Sequence, residues 1–205
     1  MKYRNLLFED TNPPASDAEI SAVERELGVS LPDDYKAFLR SCNGGYLDYD
    51  ILIHFDNGQS EYLSFSGLYK VGLDDNWESN PFELKQARKL QGYPDTGVIP
   101  IARDGGSSVI YLDLREDCRV VAFIHGLPEW TGSRQDDAWV VVAGSFEEYL
   151  DQLTISDETI ESHITDFEVS ESSVNATIEW FDSIGLEWRD KFRRQWNARV
   201  SFRQI

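Results

Sequence analysis

Cysteine, histidine, methionine and long apolar runs are all scarce in this 205-residue chain. Its two cysteines, Cys42 and Cys118, suggest no disulfide framework, and the scattered histidines, His54, His125 and His163, show no metal-ligand spacing. No apolar run approaches the roughly 18 residues that a bilayer span requires. The stretch Leu6-Leu7-Phe8, after Met1-Lys2-Tyr3-Arg4-Asn5, is too short for the core of a signal peptide. The expectation is a cytoplasmic chain that holds no metal and no cofactor and does not enter a membrane. Basic residues are also few: 19 Lys and Arg stand against 37 Asp and Glu, for a net charge of −18.

That imbalance is uneven. Residues 191–205 carry +5, so the other 190 residues carry −23, and residues 128–171 hold twelve acids and a single base, Arg134. Such a surface repels the nucleic-acid backbone and excludes a nucleic-acid partner. It attracts basic proteins and speeds their association. Acidity also serves solubility alone, and charge by itself does not choose between the two roles.

The chain is of ordinary single-domain length and is rich in aromatics (13%), enough for a sizeable core. Ser16-Asp17-Ala18-Glu19 has capping-box spacing, Ile20, Val23 and Leu27 form an apolar stripe, and Gly28 ends it. A second helix starts at Pro32 and runs to Asn43-Gly44-Gly45, with Tyr35, Phe38, Leu39 and Cys42 on one face. Cys42 is expected as a small buried apolar residue. Tyr46–Phe55 predicts a strand, Asp56-Asn57-Gly58 a hairpin turn and Tyr62–Phe65 its return. Asn80-Pro81-Phe82-Glu83 caps a short middle helix. The runs Val98–Ala102, Val109–Leu114, Val120–Ile124 and Trp139–Ala143 have short connections and predict an antiparallel meander. Ser145 caps a helix after the last strand, with Glu148 closing its capping box.

The pattern Ile20-x-x-Val23-Glu24-x-x-Leu27-Gly28-x-x-Leu31-Pro32-x-x-Tyr35-x-x-Phe38-Leu39-x-x-x-Asn43-Gly44-Gly45 resembles the opening motif of the SUKH superfamily. Val98–Ala102 with Asp104-Gly105-Gly106 looks like that family's central hairpin, and Ser145–Leu150 looks like its closing helix. The resemblance covers roughly residues 10–153. It implies an α+β fold: a largely antiparallel multi-stranded sheet packed with the N-terminal helices, a middle helix and a helix after the last strand. Known members include yeast regulators of cell-wall assembly and many bacterial immunity proteins. The expected organisation is therefore a SUKH-like domain over residues 1–153 and a C-terminal extension over residues 154–205.

In that extension, residues 155–171 suggest an acidic linker or a short amphipathic helix. Ile184, Trp188, Phe192, Trp196 and Val200 recur every four residues as one helical stripe. The stripe suits docking on its own domain, or a second copy in a homodimer, or a partner. Its flanking positive charge suits the acidic body of the same molecule.

Candidate chemistry is thin. Asp104-Gly105-Gly106-Ser107 lacks the following helix that a phosphate cradle needs and suits a hairpin turn. Ser107 or Ser108 with His125 and an Asp could be drawn as a triad, but no nucleophile elbow surrounds either serine. Asp74-Asp75 and Asp136-Asp137 match no calcium-loop spacing. Two tryptophan loops stand out instead. Asp74, Asp75 and Glu78 surround Trp77, and Glu129, Asp136 and Asp137 flank Trp130. An indole ringed by acids suits either an anchor for a basic partner or a lid folded onto the core. With the family resemblance, these eight residues point to a non-catalytic immunity protein that covers the active surface of a cognate toxin, expected to be a basic nuclease. The alternative is a scaffold like the yeast members.

Overall fold

A computed structural model describes residues 1–72, 97–115, 117–131 and 134–205. The expected middle helix at Asn80–Glu83 and the loop holding Asp74, Asp75, Trp77 and Glu78 lie outside the described residues. The chain opens with a small hairpin, β1 (Lys2–Tyr3) and β2 (Leu6–Leu7), followed by α1 (Asp17–Leu27) and α2 (Asp33–Ser41). Both halves of the capping box form on α1. The Glu19 N–H donates to Ser16 Oγ, and Ser16 N–H donates to the Glu19 carboxylate at 2.7 Å. Gly28 closes α1 at φ +70°.

Helix α2 ends one residue before Asn43-Gly44-Gly45, because Cys42 is already extended. The two glycines instead turn the chain into β3 (Gly45–Tyr46) at φ +72° and +115°. A Cβ on Gly45 would lie 2.6 Å from the Glu9 carbonyl oxygen, so a side chain has no room there. Asn43 is buried and fully engaged: its amide bonds the Pro13 and Val71 carbonyls and the Val71 N–H. Cys42 is buried among apolar groups, and burial pushes its thiol up to about 11.

The expected strand Tyr46–Phe55 is two strands in different sheets. Strand β3 belongs to the main sheet, while β4 (Asp50–His54) pairs with β5 (Ser60–Ser64) as a separate hairpin. The break falls at Leu47–Tyr49, where Leu47 N–H bonds the Ser66 carbonyl and the Tyr49 hydroxyl accepts Leu7 N–H. These tertiary bonds draw the chain out of one sheet before it enters the next. Gly58 makes the hairpin turn at φ +82°.

The main sheet adds β6 (Gly67–Leu68), β7 (Val98–Arg103), β8 (Val109–Asp113), β9 (Arg119–Ile124) and β10 (Ala138–Ala143). Its order is β10-β9-β8-β7-β6-β3, antiparallel throughout. Helix α3 (Phe146–Gln152) follows, capped by Ser145. Glu148 reaches back to Gly144 N–H at 2.7 Å, so the second half of this box is displaced by one residue. Phe146 lies 4.9 Å from Tyr35 and 5.1 Å from Phe38, joining α3 to α2. The fold class is α+β, as the sequence pattern implies.

Residues after Leu153 form three helices: α4 (Asp157–Asp166), α5 (Glu171–Ser183) and α6 (Trp188–Arg199), the first two capped by Ser156 and Ser170. The segment 155–171 is therefore largely helical. Ile184 is the C-cap of α5, so the stripe of α6 begins at Trp188. Trp188, Phe192, Trp196 and Val200 are at most 2% exposed and belong to the same apolar cluster as Phe38, Ile99 and Phe146. A homodimer through this stripe is thereby corrected: the side chains that would make it are consumed inside one chain. Lys191 pairs with Asp157, and Gln195 bonds Glu161 on α4. Arg189 of α6 likewise pairs with Asp182 of α5, so two basic residues of α6 meet acids of the neighbouring helices.

Candidate functional site

The described half of the predicted site is the connection between β9 and β10, residues 125–137. Its neck is set by the sheet, because Ala138 pairs directly with Ile124. Above the neck the Leu127 N–H donates to the Arg134 carbonyl at 2.7 Å. The Arg134 guanidinium donates to the His125 carbonyl at 2.9 Å and lies 5.0 Å over the Phe55 ring of the β4–β5 hairpin. The one base within this acidic region is therefore a clamp that holds the loop shut.

Asp137 is a second clamp. Its carboxylate accepts the Gly126 N–H at 2.9 Å and faces His125 Nδ1 at 3.1 Å. The Gly126 N–H, helped by His125, holds this carboxyl below the usual aspartate range. Gly126 itself has no alternative, since a Cβ there would sit 1.7 Å from the Gln135 carbonyl oxygen.

At the tip, Thr131 donates through both its N–H and its hydroxyl to the Pro128 carbonyl, at 2.9 and 2.7 Å, closing a short 3-10 turn over Glu129–Thr131. Trp130 stands on that turn and is 86% exposed. The alternative of a lid on the core is excluded by that exposure. Glu129 and Asp136 on the same loop are also exposed, as is Leu127. All four predicted residues here are exposed, and Asp137 is in addition tied to the Gly126 N–H and to His125.

Trp139, which the sequence marks only as a strand residue, adds a second surface indole. It is half exposed and packs on Phe123 at 5.1 Å and Tyr111 at 5.9 Å, and Phe123 meets the His125 ring edge-on at 4.6 Å. An aromatic row thus runs from the outer face of the sheet to the foot of the tryptophan loop. The run Ala138-Trp-Val-Val-Val-Ala143 is apolar at every position, so period-2 alternation gave no sign of which residues face outward.

A triad through Ser108 does not assemble. Ser108 is buried, and its hydroxyl accepts the backbone N–H of His125 at 3.2 Å, while the imidazole turns to Asp137. A triad needs the serine hydroxyl at the ring nitrogen remote from the carboxylate. Among the described residues no group of three or more His, Cys, Asp or Glu side chains is placed to hold a metal ion. Nor is any described helix long and apolar enough to cross a membrane. What the arrangement offers is an exposed indole on a hydrogen-bonded turn, with the exposed carboxylates of Glu129 and Asp136 on the same loop.

The sequence profile of the SMI1/KNR4 family (SUKH-1) matches residues 14–152. The chain belongs to that family. The matched span of this SUKH-1 chain runs from just before α1 to the end of α3 and contains the tryptophan loop. The chain is also similar to the SPbeta prophage-derived uncharacterized protein YokK of Bacillus subtilis (strain 168). That match is 27% identical over 163 residues, covering 70% of this chain and 76% of the relative. Helices α5 and α6, the latter with the buried Trp188 and Trp196, lie beyond the family span.

Proposed function

We propose that this SUKH-1 chain is a non-catalytic bacterial immunity protein that binds a cognate toxin domain, a basic nuclease, and covers its active surface. The observation that carries the reading is Trp130, exposed on a hydrogen-bonded turn of a loop that also exposes Glu129 and Asp136. Large aromatics fixed in place supply interface energy at low entropic cost, and flanking charges supply speed and discrimination. The likeness to a prophage-derived protein supports a bacterial setting over the yeast regulatory one. The same reading extends to Asp74, Asp75, Trp77 and Glu78 as a second acidic, tryptophan-bearing contact, and places the action in the cytoplasm.

The test is coexpression with the toxin domain encoded beside the gene. Cells survive with the wild type. Glu129→Lys with Asp136→Lys abolishes rescue, and Trp130→Ala weakens binding by about 30-fold or more, the roughly 2 kcal/mol of an interface hot spot. Both variants keep the wild-type circular dichroism, because all three side chains are exposed. Rescue that survives both changes excludes this surface. Charge reversal at Asp137 is not equivalent, since it opens the loop itself.

A further inference from the structure

A groove of about 370 Å³ lies where the N-terminal strap, the β3–β4 connection and α5 meet, lined by Glu9, Asp10, Tyr46, Asp48 and Trp180 over an apolar floor that includes Leu7 and Leu47. No Lys or Arg lines it among the described residues. Its walls are fixed. Glu9 and Tyr46 exchange both backbone hydrogen bonds, at 2.8 and 2.9 Å. Asp48 bonds His163 Nε2 at 2.8 Å, and the His163 ring lies 4.5 Å from Trp180 at a shallow angle of 32°. Glu9, Asp10 and Asp48 are exposed, and Tyr46 is half exposed.

We infer that this groove is a docking site for an arginine side chain presented by the protein partner. The inference rests on the basic-partner reading above and names a second contact for it, remote in sequence from Trp130. Carboxylates beside two aromatic rings match a guanidinium. Its planar face stacks on indole or phenol, and its five N–H donors find acceptors at the rim. An ammonium has the charge but not the plane. A second copy of this chain is a poor occupant, because each body carries −18. Tyr46 and Asp48 come from the family span, Glu9 and Asp10 from the residues before it and Trp180 from the segment after it, so α5 completes the site.

The test is site-resolved. Hexa-arginine amide is titrated into ¹⁵N-labelled full-length protein, and the tryptophan indole N–H signals are followed, assigned by Trp→Phe substitution. The Trp180 signal shifts saturably. The triple variant Glu9→Gln, Asp10→Asn, Asp48→Asn weakens that response at least tenfold, whereas Glu129→Gln with Asp136→Asn leaves it within twofold. A Trp180 signal that stays still, or that responds unchanged in the triple variant, overturns the groove. If Trp130 responds while Trp180 does not, the groove falls and the basic-partner reading stands; if neither responds, both fall. Saturation of Trp180 by arginine amide at the same concentration as the peptide marks a small-cation site and overturns docking of a protein.

Discussion

Tyr35 shows how far a single residue is governed by its surroundings. It lies on the buried face of α2, where the sequence periodicity puts it, yet its hydroxyl has no hydrogen-bond partner among the described residues. Burial raises its ionisation far above the tyrosine norm. A buried polar atom left unsatisfied costs about 1–3 kcal/mol. Tyr35→Phe removes that atom and preserves the ring against Phe38 and Phe146. We expect it to leave stability unchanged or to raise it by about 1 kcal/mol in urea unfolding; a loss of 1 kcal/mol or more would show that the hydroxyl is engaged. Asp137 behaves oppositely. Its folded pKa is depressed, so its contribution to the loop is full above the unfolded aspartate value of roughly 3.9 and is lost as pH falls through the lower folded value. The Gly126 amide signal should therefore titrate with a midpoint below about 3.9; a midpoint at or above that value contradicts the clamp.

At the scale of elements, Asp50 does the most joining. Its backbone exchanges hydrogen bonds with Thr154 at 2.6 and 2.9 Å. Its buried carboxylate accepts the Ser156 N–H at 2.8 Å and the Thr159 hydroxyl at 2.7 Å. Strand β4 thus holds the N-terminus of α4, more than a hundred residues away in sequence. Asp50→Ala strands those donors and should cost about 2–4 kcal/mol in chemical denaturation, with hydrogen exchange accelerated first in α4. Uniform acceleration across the molecule would argue that Asp50 is not a local fastening. The β9–β10 loop depends on a comparable fastening, in which Arg134, Asp137 and Gly126 each have a place and only the tip is free to meet a partner.

Across the whole molecule, one apolar cluster runs from Phe8 and Phe38 through Ile99 and Phe146 to Trp188 and Trp196. The residues beyond the family span are therefore part of the interior. Deleting residues 154–205 uncovers the surface against which Trp188, Phe192 and Trp196 pack. We expect the truncated chain to aggregate or to bind a hydrophobic dye strongly, while the full chain does neither. A soluble, cooperatively unfolding 1–153 fragment would show that the core closes without them. If the proposed basic partner is the right one, its association, followed by stopped-flow fluorescence at rising ionic strength, should slow with salt.

Local chemistry made much of this legible in advance. The capping box at Ser16, the stop at Gly28, the buried face of α2, the Asn57-Gly58 turn and the four-stranded meander all follow from spacing, and the structure contains each of them. The acidic character around Trp130 and the burial expected for Cys42 were equally plain, because both depend on neighbours close along the chain. What the sequence could not disclose were facts set by contacts between distant segments. The break of Tyr46–Phe55 into two sheets depends on Ser66 and Leu7. The division of labour between Asp136 and Asp137 depends on Gly126 and His125. The exposure of Trp139 and Trp130 against the burial of Trp188 and Trp196 depends on which surfaces remain after packing. Periodicity names a helix or a strand and one of its faces; only the folded chain decides what that face meets, because burial is a property of the assembled surface rather than of any segment.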